Sequence, residues 1–211
     1  IMKSNSSIRI IPSLLLSKKR LVKGINFEKY LDAGDPVRTC VAHDAQDCDE
    51  ICIIDLDAYK DNIEPDTKTL EFITKETATP IIFGGNIKSI HSVEKIIRSG
   101  ADKILINSNI FNEKLISEII MSFGGQCIVA GVDLILINGD YKVYSRGNIL
   151  DISIKEYIKR IIELGIGELK ITYVNLEGTR SGIEIFTSKK IINYTTLPVI
   201  IEGGVKNLED L

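Results

Sequence analysis

Shifted by 118 residues and laid on itself, this chain matches its own second half without gaps at its clearest anchors. Asp49-Glu50-Ile51 falls on Gly167-Glu168-Leu169. Pro80-Ile81-Ile82-Phe83-Gly84-Gly85 falls on Pro198-Val199-Ile200-Ile201-Glu202-Gly203, and Ile87-Lys88 on Val205-Lys206. One offset shared by all three anchors implies two copies of a single structural unit.

Within each copy, short β-branched runs alternate with segments of helical period. The expected strands are Arg9–Leu15, Glu50–Asp55, Pro80–Phe83, Lys103–Asn107, Cys127–Asp133, Glu168–Thr172 and Pro198–Ile201. Each is nearly all apolar, as parallel strands covered on both faces must be. Ser92–Ser99, Asn112–Phe123 and Ser153–Leu164 carry apolar residues every three or four positions and read as amphipathic helices. Repeated strand–helix–strand spacing requires parallel strands with right-handed crossovers. Two four-strand units close into a (β/α)8 TIM barrel with a two-fold half-barrel repeat. The expected organisation is one TIM-barrel domain over residues 1–211, with half-barrels at about 8–125 and 126–211. The offset places the counterpart of Lys103–Asn107 at 221–225, past Leu211, so the second half is expected to lack the eighth βα unit. Ile1 ahead of Met2 reads as a residue added before a native start.

A chain of 211 residues, 44% of them apolar, can bury one sizeable core. A net charge of −3 with scattered basic residues argues against a nucleic-acid partner. No apolar run reaches about 18 residues and no signal segment is evident, so no membrane partner is expected, and a cytoplasmic location is. Cys40, Cys48, Cys52 and Cys127 show no framework spacing and read as reduced thiols. With only His43 and His91 available, neither a metal site nor a histidine triad is expected, and no cofactor is called for.

In such a barrel the chemistry sits at the C-terminal ends of the strands. Asp55, Asp57, Asn107, Ser108, Asp133, Thr172, Asn175 and Glu177 are the polar residues expected there. Gly-rich turns follow strands three, six and seven: Gly84-Gly85-Asn86, Glu177-Gly178-Thr179 and Gly203-Gly204. Glycine lets backbone N–H groups approach an anion, and two cradles facing each other suit a ligand with a phosphate at each end. The same turns also serve simple backbone geometry. Asp133, closing the apolar run Ile128–Val132, is the acid/base candidate, because poor solvation raises a carboxyl pKa. Its counterpart in the first half is Leu15, which can neither give nor take a proton. Lys23 could neutralise a substrate phosphate. Gly34-Asp35-Pro36 reads as a turn closing a long, lid-like first loop. At the opposite end Arg9, Glu50, Lys103 and Glu168 begin strands one, two, four and six. Two acids and two bases there can form an alternating ring around the lower mouth.

Together these residues resemble the cyclase subunit of imidazole glycerol phosphate synthase, over nearly the whole chain. Leu21-Val22-Lys23-Gly24-Ile25-Asn26-Phe27-Glu28 with Gly34-Asp35-Pro36-Val37 is very like the family's first loop, and Glu177-Gly178-Thr179-Arg180-Ser181-Gly182 like its sixth. The resemblance implies a class I glutaminase subunit (HisH-like) docked on the N-terminal face. Its ammonia would pass a gate of Arg9, Glu50, Lys103 and Glu168 to a phosphorylated small-molecule ligand above. It implies phosphate-site roles for Gly85, Asn107, Ser108, Glu177, Gly178 and Gly204, and makes Asp133 one of two catalytic aspartates. The second aspartate falls on Leu15. Asn86 replaces the third glycine of a cradle, and the loop Tyr144–Asn148 is shorter than the family's.

A divergent branch is more similar: the WbuZ-like proteins associated with glycosyl amidation, with their Ile-Pro-Ser-Leu-Leu-Leu type of first strand. That resemblance implies an ammonia-receiving, synthase-type subunit working with a sugar amidotransferase in surface-polysaccharide (lipopolysaccharide) synthesis. Two alternatives stay open. One is an authentic cyclase of histidine biosynthesis with Asp55 or Asp57 as a displaced acid. The other is a non-catalytic scaffold that activates a glutaminase.

Overall fold

The computed structural model describes residues 8–210, so the Ile1–Met2 reading lies outside the described residues. In chain order the strands are β1 Ser13–Ser17, β2 Arg20–Ile25, β3 Glu28–Gly34, β4 Ile51–Asp55, β5 Ile81–Gly84, β6 Lys103–Ile106, β7 Ile128–Ile137, β8 Asp140–Ser145, β9 Asn148–Ile149, β10 Glu168–Tyr173 and β11 Val199–Glu202. The helices are α1 Pro36–Asp44, α2 Leu56–Lys60, α3 Thr67–Glu76, α4 Ile90–Arg98, α5 Glu113–Phe123, α6 Ile154–Glu163 and α7 Ile185–Ile192.

Seven strands run parallel in the order β11-β10-β7-β6-β5-β4-β1, with helices between them, and the sheet curls into a (β/α)8-type barrel. Among the described residues no ladder joins β1 to β11. The expected strands are all present, with shifted ends. Three were expected to include Pro12, Pro80 or Pro198, yet β1, β5 and β11 begin one residue later. Proline has no amide hydrogen to give a ladder, so each strand starts after it. Arg9 therefore lies before β1, held by the backbone bond from Asp49 N–H to the Ile10 carbonyl at 3.1 Å.

Two features differ more. The long first loop has regular structure. It is an antiparallel hairpin, β2–β3, hung on β1 through Leu15↔Val22 and Leu16↔Leu21. Asp35 caps α1 rather than making a loop turn, accepting from Arg38 N–H at 2.9 Å with Pro36 at the first helical position. Asp133 does not end its strand either. β7 continues to Ile137 because β8 pairs with it antiparallel, Asp133 facing Tyr144. The two hairpins follow equivalent strands of the repeat.

Alternation along the strands separates two apolar layers. Outward residues such as Ile53, Phe83, Ile104, Val132 and Ile171 pack under the helices, whose buried faces include Val93 and Ile96 of α4 and Tyr157, Ile158 and Ile161 of α6. Inward residues form a separate belt inside the curl: Cys52, Ile82, Leu105 and Val129, with Ile11, Ile54 and Ile200 against them. Burying that belt isolates the charged groups below it from those above.

Candidate active site

The lower end of the interior carries the expected charge ring, closed. Arg9 donates to both Glu50 and Glu168. Lys103 Nζ lies 3.1 Å from Glu50 and 2.8 Å from Glu168. Each acid is shared by both bases, and both acids are nearly buried. Lys103 and Glu168 begin their strands, whereas Arg9 and Glu50 stand just ahead of theirs. Burial works against the Lys103 charge, but hydrogen bonds to Glu168 and Glu50 outweigh it and hold the ammonium pKa above its ordinary value.

At the upper end a cavity of about 360 Å³ opens between the hairpins. Gly85, Asn107, Ser108, Asp133, Thr172 and Glu177 all line it, with Leu15 among them. Asn107 Nδ2 donates to Asp133 Oδ2 at 2.9 Å. Burial pushes the Asp133 carboxyl up to about 6, against the opposing pull of Lys170 and the Asn107 bond. Glu177 follows the turn Val174–Leu176 and is pushed up to about 7, by burial first and then by Glu202. The sequence suggested only a binding role for Glu177. A carboxyl half-protonated near neutrality can also move a proton. Aromatic walls come from both hairpins, Phe27 and Tyr30 on one side and Tyr144 on the other, with Arg146 beside it donating to the Ser108 carbonyl at 2.8 Å.

The remaining expected residues gather elsewhere. Lys23, Gly178, Gly203 and Gly204 line a second cavity of about 400 Å³ between the first hairpin and β11, and Glu177 reaches both. Gly178 has a packing reason to be glycine: a Cβ there would sit 2.2 Å from the Gly24 carbonyl oxygen, where the hairpin docks, and its φ is +72°. The three other polar candidates are occupied structurally. Asp55 caps α2, accepting from Ala58 N–H at 3.1 Å, and also takes Asp66 N–H at 2.8 Å. Asp57 accepts from Ser17 and from the Lys18 amide. Asn175 accepts from Leu136 N–H at 2.6 Å. Asp55 nevertheless lines the upper cavity, where burial raises its carboxyl pKa.

The sequence reading missed one pair. Lys170 and Glu202 face inward from adjacent strands and form an ion pair, Lys170 buried and Glu202 partly so. Lys170 Nζ also reaches Thr172 Oγ1 at 3.1 Å, and that hydroxyl donates to Glu202 at 2.7 Å. Thr172 thus belongs to a closed network. Burial opposes both charges, but each partner outweighs it for the other, raising the Lys170 pKa and lowering that of Glu202. A signal was present: Glu168-Leu169-Lys170-Ile171-Thr172 alternates polar with apolar, so one face of an otherwise apolar strand is polar. The four cysteines are free thiols, and burial pushes Cys40 and Cys52 up to about 12. Among the described residues no helix is long and apolar enough to cross a membrane.

A closed charge ring below, an apolar belt and an acid-bearing cavity above sit in a (β/α)8-type barrel, a fold that carries its active sites at the strand C-termini. The chain belongs to the histidine biosynthesis protein family, whose model matches residues 9–211. It is 33% identical over 211 residues to "Imidazole glycerol phosphate synthase subunit HisF" of Prochlorococcus marinus (strain MIT 9215), an alignment covering 97% of this chain and 82% of that protein. The likeness to the cyclase family read from the first and sixth loops therefore holds.

Proposed function

We propose that this HisF-like barrel receives ammonia from a class I glutaminase on its lower face and delivers it to a phosphorylated sugar acceptor in the upper cavity. The reaction would be glycosyl amidation in surface-polysaccharide synthesis, alongside a sugar amidotransferase. The observation that carries the reading is the pairing of an intact lower ring with a single interior acid at the repeat-related pair. Leu15 and Asp133 occupy equivalent positions and line one cavity, yet only Asp133 can exchange a proton. Cyclisation by paired acid and base loses one partner, whereas simple nitrogen delivery needs only one. In this scheme Asp133 and Glu177 manage protons on the attacking nitrogen. Arg9, Glu50, Lys103 and Glu168 are the ammonia gate. Gly85, Asn107 and Ser108 hold one end of the acceptor, with Thr172 placed beside them by its network. Lys23, Gly178, Gly203 and Gly204 hold the other.

The name of the relative favours a second reading, an authentic cyclase of histidine biosynthesis. Full-length protein with the diphosphorylated ribonucleotide of that pathway and an ammonium salt should give no turnover, and turnover would decide for the cyclase. With amide-15N glutamine and the glutaminase, label should reach an acceptor sugar. Glutaminase stimulation without label transfer would reduce the barrel to a scaffold.

A further inference from the structure

The charges inside the barrel are stacked. Lys170 follows Glu168 by two residues on β10 and faces the same way, so it stands about 6.6 Å above the ring. It lines both upper cavities, as does Glu202, so the pair occupies the junction between the belt and the site. Lys170 is 3% exposed. An ammonium group has three N–H donors. Two are engaged, one by Glu202 and one by Thr172. The third has no partner among the described residues and is free to donate. Glu202 accepts from both Lys170 and Thr172 through the same oxygen, Oε2.

These valences distinguish the two forms of the nitrogen source. Ammonia has a lone pair and can accept the remaining Lys170 N–H. Ammonium has only donors, so it cannot accept that N–H, and it carries a charge like that of Lys170. Moving it into this apolar surrounding beside a fixed cation is unfavourable on both counts.

We infer that Lys170, held by Glu202 and Thr172, is an inner station on the barrel axis that passes neutral ammonia upward and turns back ammonium. The inference rests on the reading that ammonia uses the interior. Lys170 acts here as a selecting residue, and no bond to it forms or breaks.

Cys52 supplies a reporter. It lies in the inner belt, two residues above Glu50, and lines the second cavity with Lys170 and Glu202. Full-length protein would be treated with propyl methanethiosulfonate, which is neutral, and with aminoethyl methanethiosulfonate, its cationic near-isostere. Labelling at Cys52 would be read by peptide mass spectrometry against the half-exposed Cys48. Taking the ratio of the two reagents cancels any change in thiolate fraction. The native protein should favour the neutral reagent by about tenfold or more, equivalent to about 1.4 kcal/mol. Lys170→Arg should keep that preference. Lys170→Met combined with Glu202→Leu removes both charges without orphaning either, an exchange that buried pairs commonly tolerate, and should lower the ratio at least about threefold, what remains being the apolar belt's own exclusion of a cation. Equal labelling of the native protein by both reagents, or a preference undiminished in the double variant, would overturn the inner station while leaving the conduit reading intact. No labelling of Cys52 by the neutral reagent in any of the three proteins would overturn the conduit reading and the station with it.

Discussion

Asn107, at the end of β6, donates its side-chain amide to the Asp133 carboxylate on the neighbouring strand across 2.9 Å. This bond favours the ionised acid, against burial that favours the neutral one. Replacing the donor by an apolar group, Asn107→Leu, should therefore move the Asp133 midpoint upward from about 6. One charge-assisted hydrogen bond corresponds to roughly one pH unit. Carbon-13 titration of the Asp133 carboxyl measures it, and a midpoint that stays or falls contradicts this account.

Asp133 itself should make stability depend on pH. Its folded value, about 6, lies above the ordinary 3.8, so the native state holds this proton more tightly than the unfolded chain. The stabilisation is complete below about pH 4 and is lost as pH rises through about 6. The loss is on the order of 3 kcal/mol. Asp133→Asn should thus be more stable than the parent by up to about that amount at pH 8 and nearly equal to it at pH 4. Urea unfolding at the two pH values tests the sign directly.

The lower ring should be worth more than an exposed pair. Lys103→Met leaves Glu50 and Glu168 sharing Arg9 alone, and should cost about 1–3 kcal/mol in urea unfolding. Arg20→Ala breaks an exposed pair with Asp32 and should leave the unfolding midpoint where it was. Equal effects of the two substitutions would mean that sharing and burial add nothing to the ring.

Gly178 and Gly139 separate backbone strain from steric clash. Both have positive φ, but a Cβ at Gly139 meets nothing within 4 Å. Gly139→Ala should cost about 1 kcal/mol. Gly178→Ala must also displace the Gly24 backbone, and should cost about 3 kcal/mol or more. It should also speed proteolytic nicking of the β2–β3 hairpin.

Much of this was legible in the sequence, for physical reasons that differ by element. β4 and β5 are buried on both faces, so their apolar runs announce themselves. The lower ring was readable because Glu50 and Glu168 coincide under the repeat. The hairpins were not. β3, Glu28–Gly34, is exposed along nearly its whole length, so no apolar period marks it. Its strand character comes from pairing with β2, which local sequence does not encode. Asp133 was found, but as a strand end, because the continuation to Ile137 depends on β8. Glu202 was passed over because it closes an apolar run, and Lys170 because the polar alternation around it was read as part of a strand covered on both faces. The division of the glycines between two cavities required coordinates, since spacing along the chain does not report which turns face each other.

The two hairpins have a consequence of another kind. Among the described residues β3 pairs in the sheet with β2 alone, and β8 joins the barrel's ladder through β7, while side contacts such as Tyr141 on Tyr173 and Asn26 N–H to the Glu177 carbonyl seat the hairpins on the neighbouring strand end. Phe27, Tyr30, Tyr144 and Arg146 can be exchanged there without altering the belt or the helix layer. The cavity's outer wall can therefore be re-cut by substitution while its floor, built from the strands, keeps its shape.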